Sequence, residues 1–183
     1  MNSAAYEAYF VNRGHERVNG WVDPGALTAM FVLMQAQEEL GVYGHIGEIG
    51  IHHGRYFLAM SALSRPSEKL VAIDLFEDQH LNIDRSGKGD RDHFLANVAE
   101  HGPSDAQDRL NVVKADSTAM RADELRDAAG GPYRFFSVDG GHTVRHVIND
   151  LALAESTLVE GGVISIDDFF NADWPGIAEG LVF

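Results

Sequence analysis

Cysteine is absent from the chain. No disulfide framework can form, and no thiolate can hold a metal. Basic residues are scarce: 14 lysines and arginines stand against 28 aspartates and glutamates, for a formal charge of -14. Such a surface repels phosphate backbones and anionic lipid, so neither nucleic acid nor a membrane is expected as a partner. It suits a cationic ligand, or simply keeps the protein in solution. Apolar residues make up 45% of the 183, too many for a disordered chain. Yet no apolar run is long enough to cross a bilayer. The N-terminus lacks a basic region followed by an apolar stretch, so no signal peptide is expected. Repeats, low-complexity tracts and domain linkers are missing too. The expectation is a cytoplasmic protein with a sizeable core.

What the chain does have is a strand, a glycine turn and a helix start in GHIGEIGIHHG, Gly44 to Gly54. The apolar run ends at Glu48-Ile49-Gly50, and a helical pattern opens at Arg55, just after Gly54. Glycine accepts φ > 0 and lets backbone approach a ligand, while the N–H groups of the helix start face the space above. Taken alone, E-x-G-x-x-x-G is equally at home in a turn with no ligand.

Residues 1–24, with Tyr6, Tyr9, Phe10 and Trp21, do not read as a core element. An arm, a lid or an oligomer contact is expected there, and residues 25–183 form the domain proper. Pro24 opens a helix over 25–40. Strands are expected at 45–50, 69–74, 110–115, 134–138 and 163–166, and helices at 55–64, 92–101 and 118–129. The stretch 77–91 is polar and reads as a loop. Val144, Val147, Ile148, Leu151, Ala154 and Leu158 fall at helical spacing, with Gly161-Gly162 as the stop. A last helix starts at Asp173-Trp174-Pro175.

This alternation predicts an α/β fold, a Rossmann-like doubly wound, mostly parallel sheet with helices on both faces. Ligands bind beyond the carboxyl ends of such strands. Each strand here ends in an acid: Glu48, Asp74, Asp116, Asp139, then Asp167-Asp168. One such acid is an ordinary turn or cap residue. An acid on every strand end is harder to assign to capping.

The ordered set resembles the class I S-adenosylmethionine-dependent methyltransferases, and within them the metal-dependent small-molecule O-methyltransferases of the macrolide-sugar type. The resemblance runs from about Trp21 to the C-terminus. Glu48-Ile49-Gly50 with Gly54 matches the family's first motif, Asp74 its ribose-binding acid, and Asp116-Ser117 the pair beside the adenine. Ile51, Leu75 and Phe76 adjoin these positions and are assigned to the cofactor with them, as is Asp139. Asp139-Gly140-Gly141-His142, followed by Asp150-Leu151, resembles the D-G-x-H motif and its helix. Gly161-Gly162-Val163-Ile164 with Asp167-Asp168 resembles the glycine pair, strand and acid pair further on. The resemblance implies S-adenosylmethionine as cofactor, Mg²⁺ on Asp139, Asp167 and Asp168, and His142 as catalytic base beside Asp139. Tyr56 departs from the family, which often has Ser or Thr there, and His52-His53 is unusual inside the turn. The family also closes its sheet with two further strands. A chain extending past Phe183, or a partner chain such as a second copy, is therefore expected to cover the exposed edge.

The residues support that chemistry in part by themselves. An alcohol with a pKa far above 7 needs a base or a metal before it attacks. Carboxylates on neighbouring strand ends make a hard oxygen site suited to Mg²⁺. The implied acceptor is the hydroxyl of a sugar, polyol or catechol-like molecule. Simpler roles stand beside these: Asp139 and His142 as caps of the next helix, Asp167-Asp168 as a turn, Glu48 as a structural partner. Two other functions compete. An NAD-binding oxidoreductase needs G-x-G-x-x-G after the first strand, which fits poorly here. A metal-dependent hydrolase would draw on His142, His146 and the same acids.

Overall fold

Alternate residues of the second strand go to opposite sides of the sheet, as strand geometry dictates. Leu70 and Ala72 join one core, Val71 and Ile73 the other. Both faces are apolar because helices cover both, which is the condition for a parallel sheet.

The computed structural model describes residues 3–182. In chain order, α1 (Ser3–Tyr6) runs into a π-helical turn at Glu7–Val11 and a 3-10 turn at Gly14–Arg17, and α2 (Pro24–Glu39) precedes β1 (His45–Ile49). Then come α3 (Arg55–Ala62), β2 (Leu70–Asp74), α4 (Arg91–His101), α5 (Ala106–Arg109), β3 (Leu110–Lys114) and α6 (Ala122–Ala129). The chain closes with β4 (Tyr133–Val138), α7 (Val144–Glu155), β5 (Leu158–Ile166) and α8 (Pro175–Val182). The strands pair in parallel in the order β3-β2-β1-β4-β5. The direction of winding reverses between β1 and β4, and an open α/β sheet has its crevice there. The doubly wound architecture is the one expected.

One core packs Met30 and Met34 of α2, Phe57 and Leu58 of α3 and Phe94 of α4 on the sheet. The other packs Leu125 and Ala129 of α6 and Leu153 and Ala154 of α7. Each large apolar side chain buried this way contributes about 1.5–3 kcal/mol. At the amino ends of the strands lies a buried ion network. Arg134 donates to Glu68 through Nε (2.6 Å) and Nη2 (2.9 Å), and Arg65 Nη1 donates to the same carboxylate at 2.9 Å. Gln37 Oε1 accepts from Arg134 Nη1 at 2.8 Å.

The structure corrects several expectations. Tyr9 and Val18, in the segment read as separate from the core, are only 1% exposed and belong to the first core. The Tyr9 hydroxyl also donates to the Arg55 carbonyl at 2.6 Å. Helix α7 stops at Glu155, so Leu158 belongs to β5 and pairs with Tyr133. The glycine pair sits inside that strand as an irregularity. Phe135 pairs with Val163, and the intervening chain bulges at Gly161, where φ is 77°. The expected helix over 118–129 is split into a 3-10 turn at Ser117–Ala119 and α6, and the short α5 was not anticipated.

Candidate active site

The strand registers determine which side chains meet. Glu48 stands beside Ser137, and Ser137 beside Ser165, so β1, β4 and β5 end level with one another. Their terminal acids therefore reach the same space. A cavity of about 420 Å³ opens there. It is lined by Glu48, Gly50, Ile51, Asp74, Leu75, Asp116, Ser117, Asp139, His142, Asp167 and Asp168. Gly54 and Phe76, also assigned to the cofactor from sequence, do not line it. Gly54 starts α3 and packs beneath the Phe94 ring. Phe76 is fully buried and stacks on Phe94 at 6.3 Å.

The glycine turn is held from below by Asp74. Its Oδ2 accepts from Ile51 N (2.7 Å) and His52 N (2.9 Å), and its Oδ1 accepts from Phe76 N (2.6 Å). The end of β2 is thereby tied to the turn after β1. Lone-pair capacity for a ligand remains mainly on Oδ1. Asp116 caps a turn: its Oδ1 accepts from Thr118 N at 2.9 Å and Thr118 Oγ1 at 2.7 Å.

Acids crowd the junction of β1, β4 and β5. Burial, then the charges of Asp167, Glu48, Asp168 and Asp74, pushes the Asp139 carboxyl well above the usual range. No hydrogen-bond donor among the described residues reaches that carboxyl. Burial also raises Glu48, although Ser137 Oγ donates to it at 3.0 Å. Asp167 is raised as well, by partial desolvation of its carboxyl in the cavity wall and by the Asp168 charge, although the residue is exposed.

His142 is buried among polar partners. Its ring stacks on Trp174 at 4.3 Å. Its Nε2 lies 3.1 Å from Asp168 Oδ2, and its Nδ1 lies 2.9 Å from Asp84 Oδ2. Asp84 also accepts from the His142 backbone N–H at 2.6 Å. Burial alone would raise Asp84, but the hydrogen bonds from His142 and Ser86 outweigh it and hold its pKa at about 2. Neither Asp139 nor His142 caps α7; Thr143 does, with its side chain at the His146 N–H. Asp168 holds a left-handed backbone (φ 58°), an unusual conformation that aims its carboxylate at His142.

Ligand atoms of Asp139, His142 and Asp168 lie within 4.8 Å of one another, the one grouping of metal-ligand type among the described residues. Asp167, expected in the metal set, lines the same cavity but stands outside this grouping. Sequence reasoning missed Asp84, Asn171 and Trp174, which line the cavity; Asn19-Gly20-Trp21, in the segment expected as an arm or lid, line it too. Nothing in the sequence separates Asp84 from the other acids of its polar loop.

A family model described as a methyltransferase domain matches residues 48–169, and the chain belongs to that family. Its fold is that of the class I S-adenosylmethionine-dependent methyltransferases, as expected, and it is an enzyme of that kind. This disposes of the oxidoreductase and hydrolase readings. Among solved structures, an O-methyltransferase from Bacillus cereus in complex with S-adenosylhomocysteine (SAH) superposes with a TM-score of 0.62 at 17% identity. That match covers 100% of this chain and 78% of the other. CalS11, a TDP-rhamnose 3'-O-methyltransferase of calicheamicin biosynthesis, gives 0.59 at 19% identity, covering 87% and 70%. MycE from mycinamycin biosynthesis, in complex with Mg, SAH and mycinamycin VI, gives 0.56 at 16% identity, covering 100% and 46%. No curated protein matches the chain in sequence. No helix among the described residues is long and apolar enough to cross a membrane.

Proposed function

We propose that the protein methylates a hydroxyl of a small molecule, a sugar, polyol or catechol-like acceptor, with assistance from Mg²⁺. The observation that carries this reading is the meeting of Asp139, His142 and Asp168 within 4.8 Å at one end of the cavity. The acceptors and metal of the structural neighbours agree: CalS11 is a sugar O-methyltransferase, and MycE was crystallised with Mg.

S-Adenosylmethionine supplies a sulfonium-bound methyl group. Its binding is assigned to the ends of β1, β2 and β3. Gly50 and Ile51 offer close backbone approach, Asp74 holds the turn and offers Oδ1 to a ribose hydroxyl, and Leu75, Asp116 and Ser117 flank the adenine. Gly54 and Phe76 act by shaping the turn and the floor.

The donor set fits a hard divalent ion. Asp139 lacks a hydrogen-bond donor among the described residues, and the surrounding carboxylates oppose its ionisation. A cation relieves that conflict. Asp139 and Asp168 would provide oxygen ligands, with Asp167 in the same wall. Mg²⁺ held there would supply a Lewis acid for the acceptor hydroxyl. His142 takes the acceptor's proton at Nε2, the nitrogen that faces Asp168. The Trp174 stack covers one face of the His142 ring.

The reading is tested by incubating the protein with S-adenosylmethionine, Mg²⁺ and a panel of sugars, polyols and catechols, and locating the added methyl by fragmentation. The expected product carries it on oxygen. A methyl on nitrogen or carbon would overturn the reading.

A further inference from the structure

We propose that Asp84 is the positioning residue of His142, reaching it from the loop between β2 and α4. The inference rests on His142 serving as the base, but its test does not depend on methyl transfer.

Asp84 lies in the long connection between β2 and α4, residues 75–90, and lines the cavity. Four donors converge on its carboxylate. Oδ1 accepts from Ser86 N at 3.1 Å and Ser86 Oγ at 2.7 Å. Oδ2 accepts from the His142 backbone N–H at 2.6 Å and faces the ring Nδ1 at 2.9 Å. The Oδ1 side is a local turn of a familiar kind. The Oδ2 side reaches across 58 residues of sequence to the D-G-G-H segment. An ionised carboxylate only accepts hydrogen bonds, so Nδ1 must carry the proton. Nε2 faces Asp168 Oδ2 at 3.1 Å, so a proton is shared in that contact, and Nε2 becomes the accepting nitrogen only when Asp168 is engaged by a cation. Asp84 thus holds the proton on Nδ1, leaves Nε2 as the nitrogen that can exchange one with the acceptor, and with Trp174 stacked on the ring fixes the ring plane.

The loop has its own scaffold. Asn82 Nδ2 donates to the Gly87 carbonyl at 3.0 Å, and Asn82 Oδ1 accepts from Arg85 N at 3.0 Å. It is anchored to the glycine turn by Asp90 N donating to the His52 carbonyl at 3.4 Å. Among the described residues, Asp84 makes the hydrogen bonds that tie this loop to the β4–α7 connection.

The test uses protein labelled with ¹⁵N-histidine. Long-range ¹H–¹⁵N spectra report which ring nitrogen of His142 is protonated, the resonance being assigned by its loss in His142→Gln. In the wild type the proton is expected on Nδ1. In Asp84→Ala, and in Asp84→Leu, which fills the same space without an acceptor, if the alanine variant does not fold, that signature should be lost or redistributed toward Nε2. Exchange of the His142 backbone N–H should quicken roughly tenfold or more, the factor for losing one charge-assisted bond. A wild-type ring protonated at Nε2 alone would overturn the proposal. So would a folded Asp84→Ala or Asp84→Leu variant whose His142 spectrum matches the wild type.

Discussion

A β-carbon on Gly50 would stand 1.7 Å from the carbonyl oxygen of Asp139. The turn after β1 and the start of the D-G-G-H segment are packed backbone on backbone, and Gly50 adopts φ 88° to allow it. Gly50→Ala adds both a clash and a left-handed alanine, the latter alone about 1–2 kcal/mol. The melting temperature should fall by roughly 5 °C or more, since 1 kcal/mol corresponds to about 2–4 °C in a protein of this size. SAH binding should be lost along with it. Thermal unfolding and isothermal titration check both.

Asp74 should matter to the cofactor twice over, through the turn it holds and through its remaining lone pair. Asp74→Ala is expected to weaken SAH binding by about 1.5–3 kcal/mol, the usual scale for a hydrogen bond to a charged group. Unchanged affinity by isothermal titration would remove Asp74 from the cofactor site.

The buried network at the opposite end of the sheet is a matter of stability alone. Glu68→Gln leaves Arg65 and Arg134 facing a neutral group in a buried site, their own exposures being 8% and 1%. Removing one partner of such a pair costs about 3–5 kcal/mol. Urea unfolding should show that loss, while SAH affinity of the folded protein stays at the wild-type level. A loss below 1 kcal/mol, on the scale of an exposed pair, would contradict this view.

Glu48 sets a pH dependence. Burial raises its folded pKa well above the ordinary 4.5. The folded state therefore holds its proton where the unfolded state has released it. The sign follows: stability is greatest below the unfolded value and declines as pH rises from there toward the folded one. Glu48→Gln should make the metal-free protein's melting temperature less sensitive to pH above that point. An identical slope in wild type and variant would show that Glu48 does not carry the effect.

Some of this was legible in the sequence and some was not, for physical reasons. Strand ends could be read because an apolar run followed by Gly or Asp is a local signal: Ile49-Gly50, Ile73-Asp74 and Val138-Asp139 all fall where expected. Leu158 was misplaced because it extends the helical period of α7, whereas pairing with Tyr133 across the sheet decides its state. Tyr9 and Val18 gave no periodic signal, and only tertiary contact shows them as core. Within the site, the strand-end acids were legible but their division of labour was not. Asp74 is largely occupied by backbone N–H groups, Asp168 rather than Asp167 faces His142, and Asp84 arrives from a polar loop far away in sequence.

The most direct measurement is methyl transfer by the wild type, with S-adenosylmethionine and an accepted hydroxyl substrate, in excess chelator and again after Mg²⁺ is restored. Asp139→Asn and Asp168→Asn are assayed alongside. The expected result is activity lost in chelator and recovered with Mg²⁺, and little recovery in either variant. Full activity in chelator, or wild-type rates in both variants, would contradict a metal-assisted site built on these acids.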